Sequence, residues 1–251
     1  MSAAALLSDR QPAHLTETAC ERSTLWQGHF LRLQRDRVRL PDGRQAWREY
    51  LHHPGAVMVI PCLDDGRLVV ERQYRYPVQQ AMIEFPAGKR DRGESAIVCA
   101  VRELREETGY TAREWARAGV LHPAIGYADE CIEIWFARGL QAGPRALDDG
   151  EHLDVLVVDA EALLAAVRDG VVTDGKTLAG LLWWQRVSTG AWPLQWRTTV
   201  AWLGDDARSA NMPAGAVVGA MGVRGGLADG LALPEACAGR VPATSGAGAG
   251  T

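Results

Sequence analysis

The first part of the chain combines alternating polar and apolar positions with one continuous apolar run. Residues 24–53 alternate on either side of Pro41-Asp42-Gly43, a turn sequence in which proline presets φ and glycine accepts positive φ. This pattern predicts a β-ribbon. Residues 55–63 are almost entirely apolar, which is typical of a buried strand.

Later segments predict further strands and three helices. We expect strands at 67–76, 82–85, 119–122, 131–140 and 152–159, and helices at 95–108, 160–168 and 174–186. Ser95 can cap the start of the first helix, and Gly109 stands where a glycine would end it. Strands and helices alternate, but strands outnumber helices. The pattern therefore predicts an α/β (α+β) fold, a mixed sheet with helices on its faces.

Composition and pattern divide the chain into four segments. Residues 1–22 show no clear period and are predicted to be a flexible leader, and the β-ribbon follows at 23–54. We expect the main domain over 55–190. Residues 191–251 are rich in glycine and alanine, so we predict that this tail is mostly disordered.

Charge and cysteine usage narrow the class of protein. The 251 residues are 47% hydrophobic with a net charge of -4, which argues against the basic surface that nucleic acids require. Five widely spaced cysteines form no CxxC pair, so we expect reduced thiols. The N-terminus lacks the basic start of a signal peptide, and no apolar run reaches the ~20 residues of a membrane span. We therefore predict a cytoplasmic protein that binds neither nucleic acid nor membrane.

Three glutamates crowd the end of the first predicted helix. At about 100° per residue, Glu103, Glu106 and Glu107 share the side opposite an apolar face centred on Val101 and including Val98. Like charges at i and i+4 cost about 0.2–0.5 kcal/mol, and the helix dipole disfavours negative charge at this end. One interpretation is a solvated acidic face. The other is a divalent-cation site, because Mg²⁺ prefers carboxylate oxygens.

The same segment resembles the Nudix box, G-x5-E-x7-R-E-U-x-E-E-x-G-U, where U is a bulky apolar residue. The matching positions are Gly88, Glu94, Arg102, Glu103, Leu104, Glu106, Glu107, Gly109 and Tyr110. Tyr110 is aromatic at a place that is usually aliphatic. The resemblance implies a Nudix hydrolase, an enzyme that splits a diphosphate linked to another group. It also implies a Nudix-type α/β/α sandwich around a mixed sheet, with an N-terminal β-ribbon.

The flanks "RQYRYP" (72–77), "IEFPAG" (83–88) and "DGEHLDV" (149–155) resemble the ADP-ribose pyrophosphatase branch of this family. The branch implies cleavage of ADP-ribose to AMP and ribose 5-phosphate, with Mg²⁺ or Mn²⁺ as cofactor. Pro123 lies earlier than the proline that marks the branch, so other nucleoside diphosphate sugars stay open as substrates. A non-catalytic nucleotide-binding Nudix module is the alternative from another class, although such modules generally lose box glutamates.

The resemblance also implies roles for single residues. The metal ligands would be the Ala87 carbonyl, Glu103, Glu106, Glu107 and Glu151. The catalytic residues would be Glu106, Glu107 and Glu151. The substrate-binding residues would be Arg48, Arg75, His29 and Glu84, with the arginines on the diphosphate and His29 near the adenine.

Two further implications concern assembly and structural residues. The branch commonly exchanges its N-terminal ribbon across a homodimer, so Arg48 would act in the other subunit's site. We interpret Glu94 as bonding within its loop and Arg102 as orienting a neighbouring carboxylate. Asp174 and Lys176 are interpreted as capping the last helix, with a ligand contact left open.

Overall fold

The computed structural model describes residue 7 and residues 9–210 of the chain. The chain forms two compact units. One consists of Met1–Pro54 with Ala124–Glu130, and the other of Gly55–Pro123 with Cys131–Thr251. The predicted ribbon falls in the first unit and all predicted helices fall in the second.

The first unit is built on a three-stranded antiparallel sheet. Its strands are β1 (Thr18–Gln27), β2 (Arg32–Arg39) and β3 (Gln45–His52), in the order β1-β2-β3. The strands predicted within 24–53 are therefore confirmed. The leader prediction is wrong for residues 18–22, because these residues pair with β2 and their backbone groups join its ladder.

The described part of the second unit contains eight strands in two sheets. They are β4 (Ala56–Pro61), β5 (Leu68–Arg75), β6 (Gln80–Glu84), β7 (Ala87–Lys89), β8 (Tyr110–Leu121), β9 (Ile132–Ala142), β10 (Leu153–Val158) and β11 (Arg197–Thr198). One sheet has the order β11-β8-β9-β4-β7 and the other β10-β5-β6. β4 and β9 run parallel, whereas the other paired strands are antiparallel. The larger sheet is therefore mixed, as predicted.

Four helices belong to the described part of this unit. They are α1 (Ala96–Thr108), α2 (Ala160–Arg168), α3 (Gly175–Ser188) and α4 (Thr199–Ala210). The Ser95 hydroxyl accepts from the Val98 N–H at 3.4 Å. Gly109 ends α1 at a φ of 76°, a region that only glycine adopts freely. Both predicted caps of α1 are confirmed. Elsewhere in this unit, a 3-10 turn at Tyr76–Val78 follows β5.

Helices cover both faces of the mixed sheet. Along β4, Val57 and Val59 belong to the apolar cluster that includes α1. Met58 and Ile60 belong to the cluster that includes residues of α2 and α3. Successive strand residues point to opposite faces, so β4 contributes side chains to the apolar core on each face of the sheet. The predicted α/β/α sandwich around a mixed sheet is confirmed.

The ordered chain extends beyond the predicted domain end at 190. α4 lies in the segment predicted to be a disordered tail, and its Trp202 packs edge-on against Trp135 with ring centroids 5.0 Å apart. Trp202 Nε1 donates to the Trp115 carbonyl at 3.0 Å. The predicted boundary is therefore too early, because Trp202 packs this helix against the mixed sheet despite its glycine and alanine. The rest of the tail, 211–251, lies outside the described residues.

Cys20, Cys62 and Cys99 are free thiols, as the cysteine pattern predicted for these three positions. None of the helices in residues 9–210 combines the length and the apolar character that crossing a membrane requires.

Candidate active site

α1 buries part of the side on which its glutamates lie. Its buried residues are Ala96, Ile97, Cys99, Ala100, Leu104, Glu107 and Thr108. Val98, expected on the apolar face, is 36% exposed, whereas Glu107 is only 3% exposed. The buried face is thus rotated by roughly a quarter turn from the predicted one. The interpretation of a solvated acidic face is therefore wrong for Glu107.

Glu107 is the most enclosed carboxylate of the helix. Its Oε2 accepts a hydrogen bond from the Ala87 N–H at 3.1 Å, which ties the end of α1 to β7. Burial raises the pKa of Glu107 to about 10, and the negative charges of Glu71, Glu103 and Glu151 add to this shift. A carboxylate in this position binds a proton, or another cation, far more strongly than one in water.

Glu103 lies directly against the backbone of Gly88. A Cβ atom added at Gly88 would be 1.9 Å from the Glu103 carboxyl carbon, so a side chain at position 88 would displace the carboxylate. Burial raises the pKa of Glu103 to about 7, while the charge of Arg102 opposes the shift. The glycine that opens the box motif is therefore required by the close approach of Glu103.

Arg102 holds the loop before α1 against the helix. Its Nε and Nη2 donate to the two carboxylate oxygens of Glu94 at 2.8 and 2.9 Å. Its Nη1 donates to Glu103 at 2.8 Å and to Glu106 at 3.1 Å. Glu94 also accepts from the Asp91 N–H at 2.9 Å. Both interpretations are confirmed, because Glu94 bonds within its loop and Arg102 orients neighbouring carboxylates.

Glu71 is a site residue that the sequence reasoning missed. It is fully buried on β5, and both carboxylate oxygens lack a hydrogen-bond partner among the described residues. Burial raises its pKa to about 8, and the charge of Glu84 raises it further. The sequence did offer a signal for Glu71. It directly follows the apolar run Leu68–Val70 of a predicted strand, and charged residues are rarely buried unless they have a specific role.

Arg75, Glu84 and Lys176 form an ion-pair group around the buried carboxylate of Glu84. Arg75 Nε and Nη2 donate to the two oxygens of Glu84 at 2.7 and 2.8 Å, and Lys176 Nζ also bonds Glu84. Although burial raises it, the two cations hold the pKa of Glu84 below its usual value. The predicted cap is confirmed for Asp174, whose carboxylate accepts from the Thr177 N–H at 2.9 Å. Lys176, in contrast, points to Glu84 as well as to Asp174.

Glu151 stands in the loop before β10 and is electrostatically part of the same cluster. Its charge raises the pKa values of Glu71, Glu103 and Glu107. Gln73 Nε2 donates to Glu151 Oε1 at 3.1 Å and ties the loop to β5. The second unit thus brings together carboxylates from α1, β5 and a late loop, as well as the ion-pair group.

The remaining two predicted site residues belong to the first unit. Arg48 Nε donates to Glu17 Oε2 at 2.9 Å and its Nη2 to Glu17 Oε1 at 2.5 Å. His29 is exposed in the short connection between β1 and β2. Their assignments to the diphosphate and to the adenine stay predictions.

The carboxylates can be tested for their fit to a metal. Within residues 9–210, no group of three His, Cys, Asp or Glu side chains is already arranged to hold an ion. Burial and neighbouring negative charges nevertheless raise the pKa values of Glu71, Glu103 and Glu107, and Glu71 leaves two buried oxygens unpaired among the described residues. All the donors are oxygens, the ligands that Mg²⁺ prefers. The donor chemistry therefore fits a divalent cation, which would relieve the mutual repulsion.

Comparison with known proteins places the chain in a family. The NUDIX domain model matches residues 52–181. An ADP-ribose pyrophosphatase of Bacillus subtilis (strain 168) is 35% identical over 165 residues, which cover 65% of this chain and 89% of that protein. A Bacillus methanolicus protein named methanol dehydrogenase activator is 35% identical over 173 residues, 67% of this chain and 92% of that protein.

A solved structure shares the fold. The crystal structure of an ADP compounds hydrolase matches with a TM-score of 0.63 and 23% identity, and the match covers 70% of this chain and 97% of that one. The family model spans more than half of the 251 residues, including the clustered carboxylates and the ion-pair group. The chain therefore belongs to the NUDIX family.

Proposed function

We propose that this Nudix hydrolase cleaves the diphosphate of ADP-ribose to AMP and ribose 5-phosphate, with Mg²⁺ as its cofactor. The observation that carries the proposal is the carboxylate cluster of α1 and β5, in which Glu107 is held beside Glu71 and Glu103 and its pKa is raised by burial and by their charges. The ion-pair group supplies the positive charge that a diphosphate requires. The name of the Bacillus subtilis relative supports ADP-ribose as the substrate.

We assign the metal to oxygen ligands around the end of α1. They are the Ala87 carbonyl, Glu103, Glu106, Glu107 and Glu151. A divalent ion held there would supply positive charge for the diphosphate oxygens and would lower the pKa of a water molecule. The chain contributes the enclosure, since Glu107 is held to β7 by the Ala87 N–H and Glu103 lies against Gly88.

The chain's own residues bind the substrate and move the proton. Arg75 presents a planar guanidinium, whose geometry suits two phosphate oxygens, and in the protein without ligand it bonds Glu84. Glu151 is our first candidate to accept the proton of the attacking water, and Glu106 and Glu107 are the other two. A carboxylate acts as a general base only when it is ionised, and a neighbouring cation would favour the ionised form of Glu107 despite its burial.

We propose that the first unit is a dimerisation element. We assign the ribbon at 23–54 to contact between two copies of the chain, with Arg48 on the diphosphate and His29 near the adenine of the other subunit's substrate. Residues 55–190 form the proposed catalytic domain. A cytoplasmic location completes the proposal, because the proposed substrate is a nucleotide.

A panel of nucleoside diphosphate compounds tests the choice of substrate. ADP-ribose, ADP-glucose, UDP-glucose and NADH are incubated with the enzyme and either Mg²⁺ or Mn²⁺, and nucleoside monophosphate release is followed by chromatography. We expect kcat/KM for ADP-ribose to exceed that for each other compound by about tenfold or more. Equal values across the panel contradict ADP-ribose as the preferred substrate.

A regulatory module that binds a nucleotide without cleaving it is the second candidate. The name of the Bacillus methanolicus relative, an activator of another enzyme, is the observation that favours it. The intact set of box glutamates favours catalysis. Saturable binding of ADP-ribose without AMP release, with either metal, supports the module and contradicts the hydrolase.

A further inference from the structure

Glu84 is held by two cations that differ in their access to solvent. The Glu84 side chain is 2% exposed, that of Lys176 is 13% exposed and that of Arg75 is 39% exposed. Arg75 therefore reaches the open side of the group, while Lys176 contacts Glu84 from the enclosed side. Arg75 Nη1 donates to no residue in the described part of the chain and is available to a ligand.

Lys176 is fixed by the start of α3. Its Nζ lies 3.1 Å from Asp174 Oδ2, and the same oxygen accepts from the Thr177 hydroxyl at 2.7 Å. That hydroxyl accepts from the Phe85 N–H at 3.0 Å, and Phe85 directly follows Glu84. The first turn of α3 is thereby bonded to the strand end that carries Glu84, which holds the backbone of Lys176 beside that carboxylate.

A ligand diphosphate would compete with Glu84 for Arg75. Two Arg75 donors are bonded to Glu84, so binding two phosphate oxygens requires Arg75 to share or release that carboxylate. A buried carboxylate without its partner is strongly destabilising. β5 and β6 also place Glu71 directly opposite Glu84 in register, which adds a second buried acid to the same place.

We propose that Lys176 is a positioning residue that keeps Glu84 paired when Arg75 turns to the diphosphate. Lys176 remains bonded to Glu84 and Asp174, so the carboxylate retains a counter-ion and Arg75 can contact phosphate at little cost. Lys176 acts through Glu84 and Arg75 and does not itself touch the reacting atoms. The proposal rests on the proposed function in taking a diphosphate as the ligand.

The test measures binding of inorganic pyrophosphate in metal-free buffer by calorimetry. We expect Lys176→Met to weaken binding about tenfold or more, and Lys176→Arg, which keeps the charge, to stay within about threefold of wild type. Lys176→Gln keeps a hydrogen-bond donor but loses the charge, so it is expected to match Lys176→Met. A Gln value equal to wild type contradicts the role of the charge.

Repeating the measurement in Glu84→Gln protein distinguishes a positioning role of Lys176 from a general contribution to stability. Glu84→Gln protein lacks the buried carboxylate that Lys176 is proposed to keep paired, so adding Lys176→Met should change pyrophosphate affinity less than about twofold. Equal losses of affinity in both backgrounds overturn the proposal. So does a lowered Tm with unchanged affinity, which would mark Lys176 as structural only. Failure of both neutral variants to fold also contradicts it, because Lys176 would then serve the fold.

Steady-state kinetics distinguishes this proposal from the proposed function. With ADP-ribose and Mg²⁺, Lys176→Met should raise KM about tenfold and change kcat less than about threefold. Wild-type protein that binds pyrophosphate but releases no AMP refutes the proposed hydrolase and leaves the Lys176 test intact. Wild-type hydrolysis with an unchanged KM in Lys176→Met refutes the Lys176 proposal alone.

Discussion

At the scale of single residues, the site is defined by acids that the fold places away from water. Glu71 and Glu107 are buried, and Glu103 lies against Gly88. Burial raises the pKa values of Glu71 and Glu103 from 4.5 to about 8 and about 7. In the metal-free protein these groups carry protons at mildly acidic pH and lose them at the cost of stability as the pH rises.

The first prediction concerns the stability of metal-free protein. An acid whose pKa is raised on folding stabilises the folded state below its unfolded pKa, and this stabilisation is lost as the pH rises through its folded pKa. Between pH 5.5 and 8.5 in EDTA, we expect Tm to fall by roughly 5 °C or more. Because Glu71→Gln stays neutral, its Tm should fall less over the same range.

The measurement is thermal unfolding followed by circular dichroism across this pH range. Glu114→Gln is the matched control, because Glu114 is a 39% exposed acid paired with Arg138 on the same unit. Parallel pH profiles for wild type, Glu71→Gln and Glu114→Gln contradict the assigned shift of Glu71. Added Mg²⁺ should raise Tm most at the alkaline end, where the carboxylates are charged.

At the scale of elements, α4 is part of the fold although its composition suggested a tail. Its Trp202 packs on Trp135 and bonds the Trp115 carbonyl. Arg197 lies over the same Trp202 ring, its guanidinium carbon 4.6 Å from the ring centroid, and forms an ion pair with Asp205. This helix therefore closes the α1 side of the mixed sheet.

Replacing Trp202 tests whether α4 stabilises the domain. We expect Trp202→Ala to lower the free energy of unfolding by about 2–3 kcal/mol, because it removes a large half-buried ring and a hydrogen bond. Val200→Ala on the same helix is the control, since Val200 is 81% exposed and should cost less than about 0.5 kcal/mol. Urea unfolding gives both values. Equal, small losses contradict a structural role for α4.

Local sequence signals predicted some helices and strands well, but they did not predict contacts between residues that are distant in the sequence. α1 was predicted to within one residue at its start because Ser95 and Gly109 act on neighbouring backbone groups. Glu71 was missed because its surroundings depend on the pairing of β5 with β6 and on the position of α1. The contact of Lys176 with Glu84 joins residues 92 positions apart. No local pattern specifies such a contact.

At the scale of the whole molecule, the proposed function depends on how the acidic and basic side chains of the site are balanced by the metal ion and the substrate. The chain carries a net charge of -4 and concentrates several acids in one buried cluster, beside two cations that already share Glu84. In the proposed function, a divalent cation would balance the acids and a diphosphate would balance the cations. Family membership, shown by the match over residues 52–181, agrees with a site of this composition.

The most direct test compares AMP release from ADP-ribose by wild type, Glu107→Gln and the control Glu114→Gln, each with Mg²⁺ and with EDTA. We predict Mg²⁺-dependent turnover for wild type and the control. Glu107→Gln should retain its fold and lose about 10²–10³-fold in kcat, because one buried anionic oxygen ligand is gone. Wild-type kcat in Glu107→Gln, or equal AMP release in EDTA, would contradict the account.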